Sequence, residues 1–191
     1  MSWDENLQGG QYVMNGYKYT DFATHASLRK RLPCLDLGLI FDMNRIRNEW
    51  YRQTGFDATL YPLGNLNFYL RFQGTLHSQL NSDDPKWILQ GVGGFRVLPA
   101  WWIELEATQG RIENWSENLA YVVYNNLDPL LNRWAVSLQG YQITTHMDLS
   151  IRLQRSERIS SWQVYSGSQV TGSVEKEYPF YSLTGTLKWH F

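Results

Sequence analysis

The chain has 191 residues, which suits one domain, and its 17 Lys and Arg residues balance 18 Asp and Glu residues to a net charge of −1. This balance provides no basic surface for nucleic acid, and we expect no nucleic-acid partner. Only 18% of the residues are charged, against about 25% in ordinary soluble domains. No apolar run approaches the roughly 20 residues of a membrane helix, so any membrane crossing has to be made by strands.

Period-two alternation of apolar and polar residues runs through most of the chain and predicts β-strands. In residues 65–79, Phe68 and Phe72 share one face while Tyr69 and Gln73 lie on the other. A helix would spread the same apolar residues around its whole circumference. The predicted strands cover, in chain order, a weak first strand at residues 11–20 and then residues 22–31, 35–45, 54–61, 65–79, 87–97, 101–108, 134–143, 147–154 and 181–191.

The predicted connections between these strands alternate in length. Alternating short and long connections are typical of an up-and-down barrel with tight turns at one rim and loops at the other. The strand number agrees with this architecture, because ten is an even number, as a closed antiparallel barrel needs when both termini share a rim. Short turns are expected at Pro33, residues 62–64, Pro99 and residues 144–146, and longer polar links at residues 44–52, 78–86, 109–132 and 156–177.

The alternation does not by itself show which face is inside, because a soluble lipocalin-like barrel has the same period with its apolar face turned inward. The tryptophans favour a membrane barrel, since indole prefers the headgroup level and most of them lie near predicted strand ends. The aromatic residues predicted at the two membrane interfaces are Trp50, Trp87, Trp101, Trp102, Trp134, Trp189 and Phe191.

The polar face carries charges of both signs at mid-strand, where the exterior of a soluble barrel would carry many more Lys and Glu. Opposite charges can neutralise one another across a narrow lumen, and a barrel of about ten strands is close to the size that side chains fill. The residues predicted to face the lumen are Asp42, Arg71, Arg96, Glu104, Glu106, Asp148, Arg152 and Lys188.

The last ten residues, 182–191, alternate apolar and polar side chains and end on Phe191. This segment resembles the C-terminal strand of bacterial outer-membrane β-barrel proteins, whose terminal Phe the outer-membrane assembly machinery recognises. The resemblance implies an outer-membrane location with periplasmic turns and external loops, and it implies the lipid bilayer and the assembly machinery as partners. Residues 1–6 show no signal-peptide pattern, so we expect a mature chain or the C-terminal part of a longer envelope protein.

Together these patterns predict one domain over residues 1–191, an all-β, up-and-down antiparallel transmembrane β-barrel of about ten strands. The predicted function is that of a membrane anchor or scaffold with a largely side-chain-filled lumen and with envelope proteins as partners. The first alternative is a small outer-membrane channel or transport component, porin-like in architecture. The second is a soluble, lipocalin-like ligand-binding barrel.

No set of side chains predicts catalysis, and we expect no enzymatic activity. His77 and Ser78 lie near Asp83 and Asp84 in sequence, but nothing in this spacing holds a base against both partners of a triad. Glu104 and Glu106 share a strand face about 7 Å apart, and pairing with an interior Arg is expected in preference to an acid–base role.

Cofactor and metal sites are not predicted either. The four histidines are dispersed, and Cys34, the single cysteine, is expected to be a structural thiol in a turn. Gly91, Gly93 and Gly94 lie within a strand pattern, where glycine either lets a neighbouring aromatic ring lie over the strand or eases bending of the strand. The long link at residues 109–132 is expected to extend strands above the membrane, with its aromatic residues at the interface; the alternative is that it holds a ligand site, since binding residues concentrate on loops.

Overall fold

The computed structural model describes the backbone of residues 2–8, 11–17, 20–80, 82, 84–117, 122–124, 128–166 and 169–190. None of these residues forms a helix long and apolar enough to cross a membrane. The strands are β1 (Ser2–Gln8), β2 (Gln11–Tyr17), β3 (Phe22–Arg31), β4 (Leu35–Ile46), β5 (Glu49–Leu60), β6 (Phe68–Gln79), β7 (Lys86–Leu98), β8 (Trp101–Ile112), β9 (Trp115–Glu117), β10 (Val122–Tyr124), β11 (Leu130–Thr144), β12 (Met147–Ser166) and β13 (Gln169–Trp189).

Nine of the strands form one antiparallel sheet in the order β13-β12-β11-β8-β7-β6-β5-β4-β3. Apart from the short pair β9 and β10, neighbours in the sheet are also neighbours along the chain, so the sheet is an up-and-down meander. All nine strands predicted from residue 22 onward are confirmed. The register is regular, as between β4 and β5, where Leu35 pairs with Leu60 and Ile46 with Glu49.

Two of the predicted long links are wrong, because the strands continue through them. Between β4 and β5 only Arg47 and Asn48 turn, with φ angles of 51° and 67°. Two consecutive left-handed residues indicate a type I′ turn, the tight connection of a β-hairpin. Likewise β12 and β13 stay paired as far as Ser166 and Gln169, so most of residues 156–177 forms a projecting hairpin. The predicted short turns lie at one end of the meander together with the C-terminal end of β13, as expected.

The two faces of the sheet have opposite character, and the polar face is the buried one. Asn44, Gln53 and Arg133 are at most 2% exposed, whereas Leu39 is 61% and Phe72 56% exposed. Among the described residues no second layer covers the polar side chains except β9. We therefore infer that the sheet curls towards its polar face. Buried polar residues beside exposed aliphatic ones are the reverse of a soluble domain.

The sheet ends on β3 and β13, which do not pair with each other in the described structure. The tenth strand predicted at residues 11–20 corresponds to β2, but β2 pairs with β1 in a separate two-stranded sheet. Residues 18 and 19 of that predicted strand lie outside the described residues. The structure thus contains an open nine-stranded sheet where the sequence predicts a closed barrel.

Candidate functional site in the polar interior

The buried polar face lines a space that we call the polar interior. Each strand of the nine-stranded sheet contributes every second side chain to it, because successive residues of a strand point to opposite faces. Among the side chains that line it are His25, Arg29, Asp42, Asn44, Gln53, Asp57, Arg71, Gln90, Glu104, Glu106, Arg133 and Arg152.

A short segment of chain, β9, lies within the polar interior. After β8 ends at Ile112, Asn114 adopts a left-handed conformation with a φ angle of 50°. Trp115 then becomes fully buried in a cluster with Ile88, Ile112 and Leu130. The start of the segment is therefore fixed by apolar packing, and the expectation that the aromatic residues of this link lie at a membrane interface is wrong for Trp115.

Polar contacts fix the other two residues of β9. The Ser116 N–H donates to Gln53 Oε1 at 2.7 Å, and Gln53 Nε2 donates back to the Ser116 carbonyl at 3.0 Å. Asn44 Nδ2 donates to Ser116 Oγ at 3.0 Å. Glu117 accepts a hydrogen bond of 2.6 Å from Gln90 Nε2. Hydrogen bonds to side chains on the polar face of β4, β5 and β7 thus hold the segment in place.

An ionic cluster of two arginines and two glutamates lies beside this segment. The guanidinium of Arg133, 1% exposed, contacts Glu106 Oε1 at 2.5 Å and Glu117 Oε1 at 2.8 Å. Arg152 donates to the other oxygen of Glu106 at 2.9 Å. Two positive and two negative charges thus neutralise one another where water is largely excluded. The predicted pairing of an interior Glu with an Arg is confirmed for Glu106.

Glu104 takes neutral partners instead. Tyr69 Oη donates to Glu104 Oε1 and Gln139 Nε2 donates to Glu104 Oε2. Tyr69 reaches this position because it lies over Gly94, where a Cβ would come within 2.2 Å of the tyrosine ring. The prediction that glycine lets an aromatic ring lie over this strand is therefore confirmed at Gly94.

The opposite wall of the polar interior is formed by β3, β4 and β5. His25 Nδ1 lies 2.5 Å from Asp42 Oδ1, and Gln53 Nε2 donates to the other oxygen of Asp42 at 3.1 Å. Arg29 reaches past β4 to Asp57 at 3.5 Å. This wall and β9 border a partly open cavity of about 410 Å³, which Arg71 and Gln73 of β6 also line.

The predicted lumen-facing residues that remain lie towards the short-turn end or the open edge. Arg96 is exposed and donates to the carbonyls of Leu98 and Pro99. Asp148 accepts from His190 Nε2 at 2.9 Å, which fastens the end of β13 to β12. Lys188 is exposed on β13. Asp42, Arg71, Glu104, Glu106 and Arg152 are the members of the predicted set that come together in the polar interior.

Five of the predicted interface aromatics lie on the apolar face. Trp87, Trp134 and Trp189 are exposed, and Trp50 and Trp101 are partly exposed. Trp102 instead shares the polar face with Glu104 and lies near the short-turn end, where Arg96 stacks over its ring at 5.0 Å. Phe191 lies outside the described residues.

Of the possible catalytic residues considered in the sequence, His77, Ser78 and Asp84 line a common pocket but do not form the hydrogen bonds of a triad. His77 is buried and stacks on Tyr51 with ring centroids 5.6 Å apart. Neither Ser78 nor Asp84 is hydrogen-bonded to His77 among the described residues, and Asp83 lies outside them. The described part of the chain contains no cluster of His, Cys, Asp or Glu that could hold a metal ion. Cys34 lies in the β3–β4 turn, as predicted, and is an exposed free thiol.

Several residues of the polar interior were missed in the sequence: His25, Arg29, Asn44, Gln53, Asp57, Glu117 and Arg133. Most of them could have been found from the alternation of faces along each strand, since Asn44 and Gln53 continue the polar faces of β4 and β5. Glu117 carries no such signal, because it lies in the irregular link after β8. The chain matches no family model, no curated protein and no solved structure.

Proposed function

We propose that the chain is an outer-membrane β-barrel whose function is that of a membrane anchor or scaffold. The observation that carries this proposal is the inverted burial: exposed Leu39, Phe72 and Leu105 on one face and buried ion pairs on the other. In water, such an apolar surface along the nine-stranded sheet would favour aggregation. In a bilayer it would be solvated by hydrocarbon, as in other membrane barrels.

The proposal requires closure of the sheet, because unpaired backbone groups are not tolerated in hydrocarbon. In a nine-strand meander β3 and β13 run parallel, so one further strand between them would restore antiparallel pairing on both sides. We propose β2 for this place, because it immediately precedes β3 and is seven residues long. To do so, β2 would have to give up its pairing with β1 and form hydrogen bonds with β3 on one side and β13 on the other.

An anchor is favoured over an open channel because side chains and β9 occupy much of the polar interior. Arg133 contacts Glu106 and Glu117, and Ser116 contacts Asn44 and Gln53, so the space is bridged from several strands. Open porins use 16–18 strands, well above the nine strands of this sheet or the ten of the proposed barrel. A soluble lipocalin-like barrel is disfavoured because its ligand cavity would be lined by apolar side chains, which here are exposed.

The experiment compares two exposed leucines that would lie at different depths in the bilayer. Leu105 is mid-strand on the apolar face and 50% exposed, whereas Leu63 is 62% exposed in the turn between β5 and β6. For the chain refolded in lipid vesicles, Leu105→Arg should lower the free energy of unfolding by about 2–4 kcal/mol, as at a bilayer midplane. Leu63→Arg should cost at most about 1 kcal/mol, because it lies near the interface.

The measurement is a denaturant titration in vesicles, with co-flotation of the chain and lipid as a test of insertion. Similar small costs for Leu105→Arg and Leu63→Arg would show that Leu105 faces water. Failure of the native chain to float with vesicles would equally reject the membrane proposal.

A further inference from the structure

The cavity of about 410 Å³ in the polar interior is lined by three basic side chains, His25 and Arg29 from β3 and Arg71 from β6. His25 and Arg29 are four residues apart and therefore lie on the same face of their strand. Arg71 faces them across the space between β3 and β6. A volume of this size is within the range of small-molecule sites, roughly 300–1,000 Å³.

The acidic side chains around this cavity already have partners. Asp42 accepts hydrogen bonds from His25 and Gln53. Asp57 is paired with Arg29, and the absence of a Cβ at Gly38 leaves room for its carboxylate, since a Cβ there would lie 2.1 Å from Asp57 Oδ1. Asp42 is thus hydrogen-bonded and Asp57 ion-paired without any contribution from Arg71, and Asp57 Oδ1 is buried without a hydrogen-bond partner.

The third acid, Glu117, is directed to the other side of β9. Its two oxygens accept from Arg133 at 2.8 and 3.1 Å, and Gln90 donates to one of them. Glu117 therefore belongs to the ionic cluster, although it also lines the cavity. No acidic side chain on this wall is left to neutralise Arg71.

Arg71 is consequently different from the other interior arginines. It makes no ion pair and no hydrogen bond with any residue that the structure describes, and its Nε is buried without a partner. His25 Nε2 is buried without a partner as well, while Nδ1 of the same ring faces Asp42. Buried polar groups of this kind are normally satisfied by a partner, and a guanidinium matches a planar or tetrahedral oxyanion.

We propose that this cavity is a binding site for a small oxyanion, a solute that carries a carboxylate or phosphate group. Arg71 is the main contact, through two parallel N–H donors, and His25 Nε2 supplies a further polar contact. Arg29, which is shared with Asp57, contributes positive potential at the mouth. The site goes beyond an anchor function and is present whether or not lipid covers the apolar face.

The test is isothermal titration calorimetry of the full chain in detergent micelles, with inorganic phosphate and citrate as separate probes at matched ionic strength. The native chain should bind at least one of the two anions saturably, and the stronger one identifies the preferred group. Arg71→Gln should weaken that binding at least tenfold. Arg71→Lys should lie between, because it keeps the charge and loses the paired donors.

Arg96→Gln is the matched control, since Arg96 lies on the same face but contacts backbone carbonyls near the short-turn end. It should bind like the native chain. Folding of each variant is checked by its far-ultraviolet circular dichroism, and Arg71→Lys carries the comparison if Arg71→Gln does not fold. Absence of saturable binding, or equal affinities of native chain, Arg71→Gln and Arg71→Lys, would overturn the proposal. Because binding is measured in detergent, its failure is distinct from a failure of vesicle insertion.

Discussion

Removal of Arg133 is the most informative perturbation of the polar interior. Its guanidinium is 1% exposed and contacts Glu106 and Glu117, which are 12% and 7% exposed. Arg133→Met keeps an unbranched side chain of similar length but removes the positive charge. Two buried carboxylates are then left with Arg152 as the remaining guanidinium of the cluster, and it lies 2.9 Å from Glu106.

The expected loss follows from the desolvation of these charges. Breaking a buried ion pair by removing one partner costs about 3–5 kcal/mol, because the other charge stays buried without compensation. Replacing both partners costs much less, since no charge is left behind. In the double variant Arg133→Met/Glu117→Gln, Glu106 keeps Arg152, so we expect recovery of more than half the loss. The coupling energy between the two positions should be about 1–3 kcal/mol.

The assay is guanidinium chloride unfolding of the refolded chain, followed by tryptophan fluorescence. Arg155→Met is the control, because Arg155 pairs with Glu157 at 3.0 Å with both side chains 34% exposed. Such exposed pairs contribute at most about 1 kcal/mol. If Arg133→Met cost no more than Arg155→Met, the cluster would be solvated and β9 would not fill the interior. Additive single variants would refute the proposed coupling.

Two further predictions test other contacts of the interior. Gly94→Ala should displace Tyr69 from Glu104, because the new Cβ would lie 2.2 Å from the ring, at a cost of about 1–3 kcal/mol in unfolding titrations. Gly185→Ala, which has no atom within 4 Å of its Cβ position, should cost close to nothing, and equal losses would contradict the proposed contact. In planar bilayers the native chain should show no steady porin-like conductance, and replacing Trp115–Glu117 by Gly-Ser-Gly should produce channel openings. Steady conductance of the native chain would contradict a filled interior.

The strands were predictable from the sequence because alternation is a local property. Leu39 and Asp42 are three positions apart, so the alternation along β4 predicts that they lie on opposite faces, and the structure places them there. The turn at Arg47 and Asn48 was missed for a physical reason. In an inverted sheet charged side chains belong inside strands, so a charged run such as residues 44–52 no longer marks a loop. The turn also lacks the glycine that usually accompanies two left-handed residues.

The composition of the site was less predictable, because its contacts join residues that are distant in sequence. Ser116 meets Gln53 across 63 positions and Asn44 across 72. The alternation of side chains along a strand tells which face a residue is on. It does not tell how far along the sheet the side chain lies or which residue it contacts. The sequence predicts that Arg71 faces the interior and that interior charges of opposite sign neutralise one another, but it assigns no particular partner to Arg71.

The structure shows why the expected neutralisation does not extend to Arg71. The described buried apolar cluster is small and consists of Ile88, Ile112, Trp115 and Leu130. Pairing of charges therefore has to hold much of the interior together. Asp42, Asp57 and Glu106 pair with bases one or two strands away, whereas Glu104 accepts from neutral donors. The segment β9 adds one acid, Glu117, and its position beside Arg133 directs that charge away from the wall formed by β3 to β6. The wall formed by β3 to β6 thus keeps one guanidinium, that of Arg71, without a partner among the described residues, which is the condition that an anion site requires.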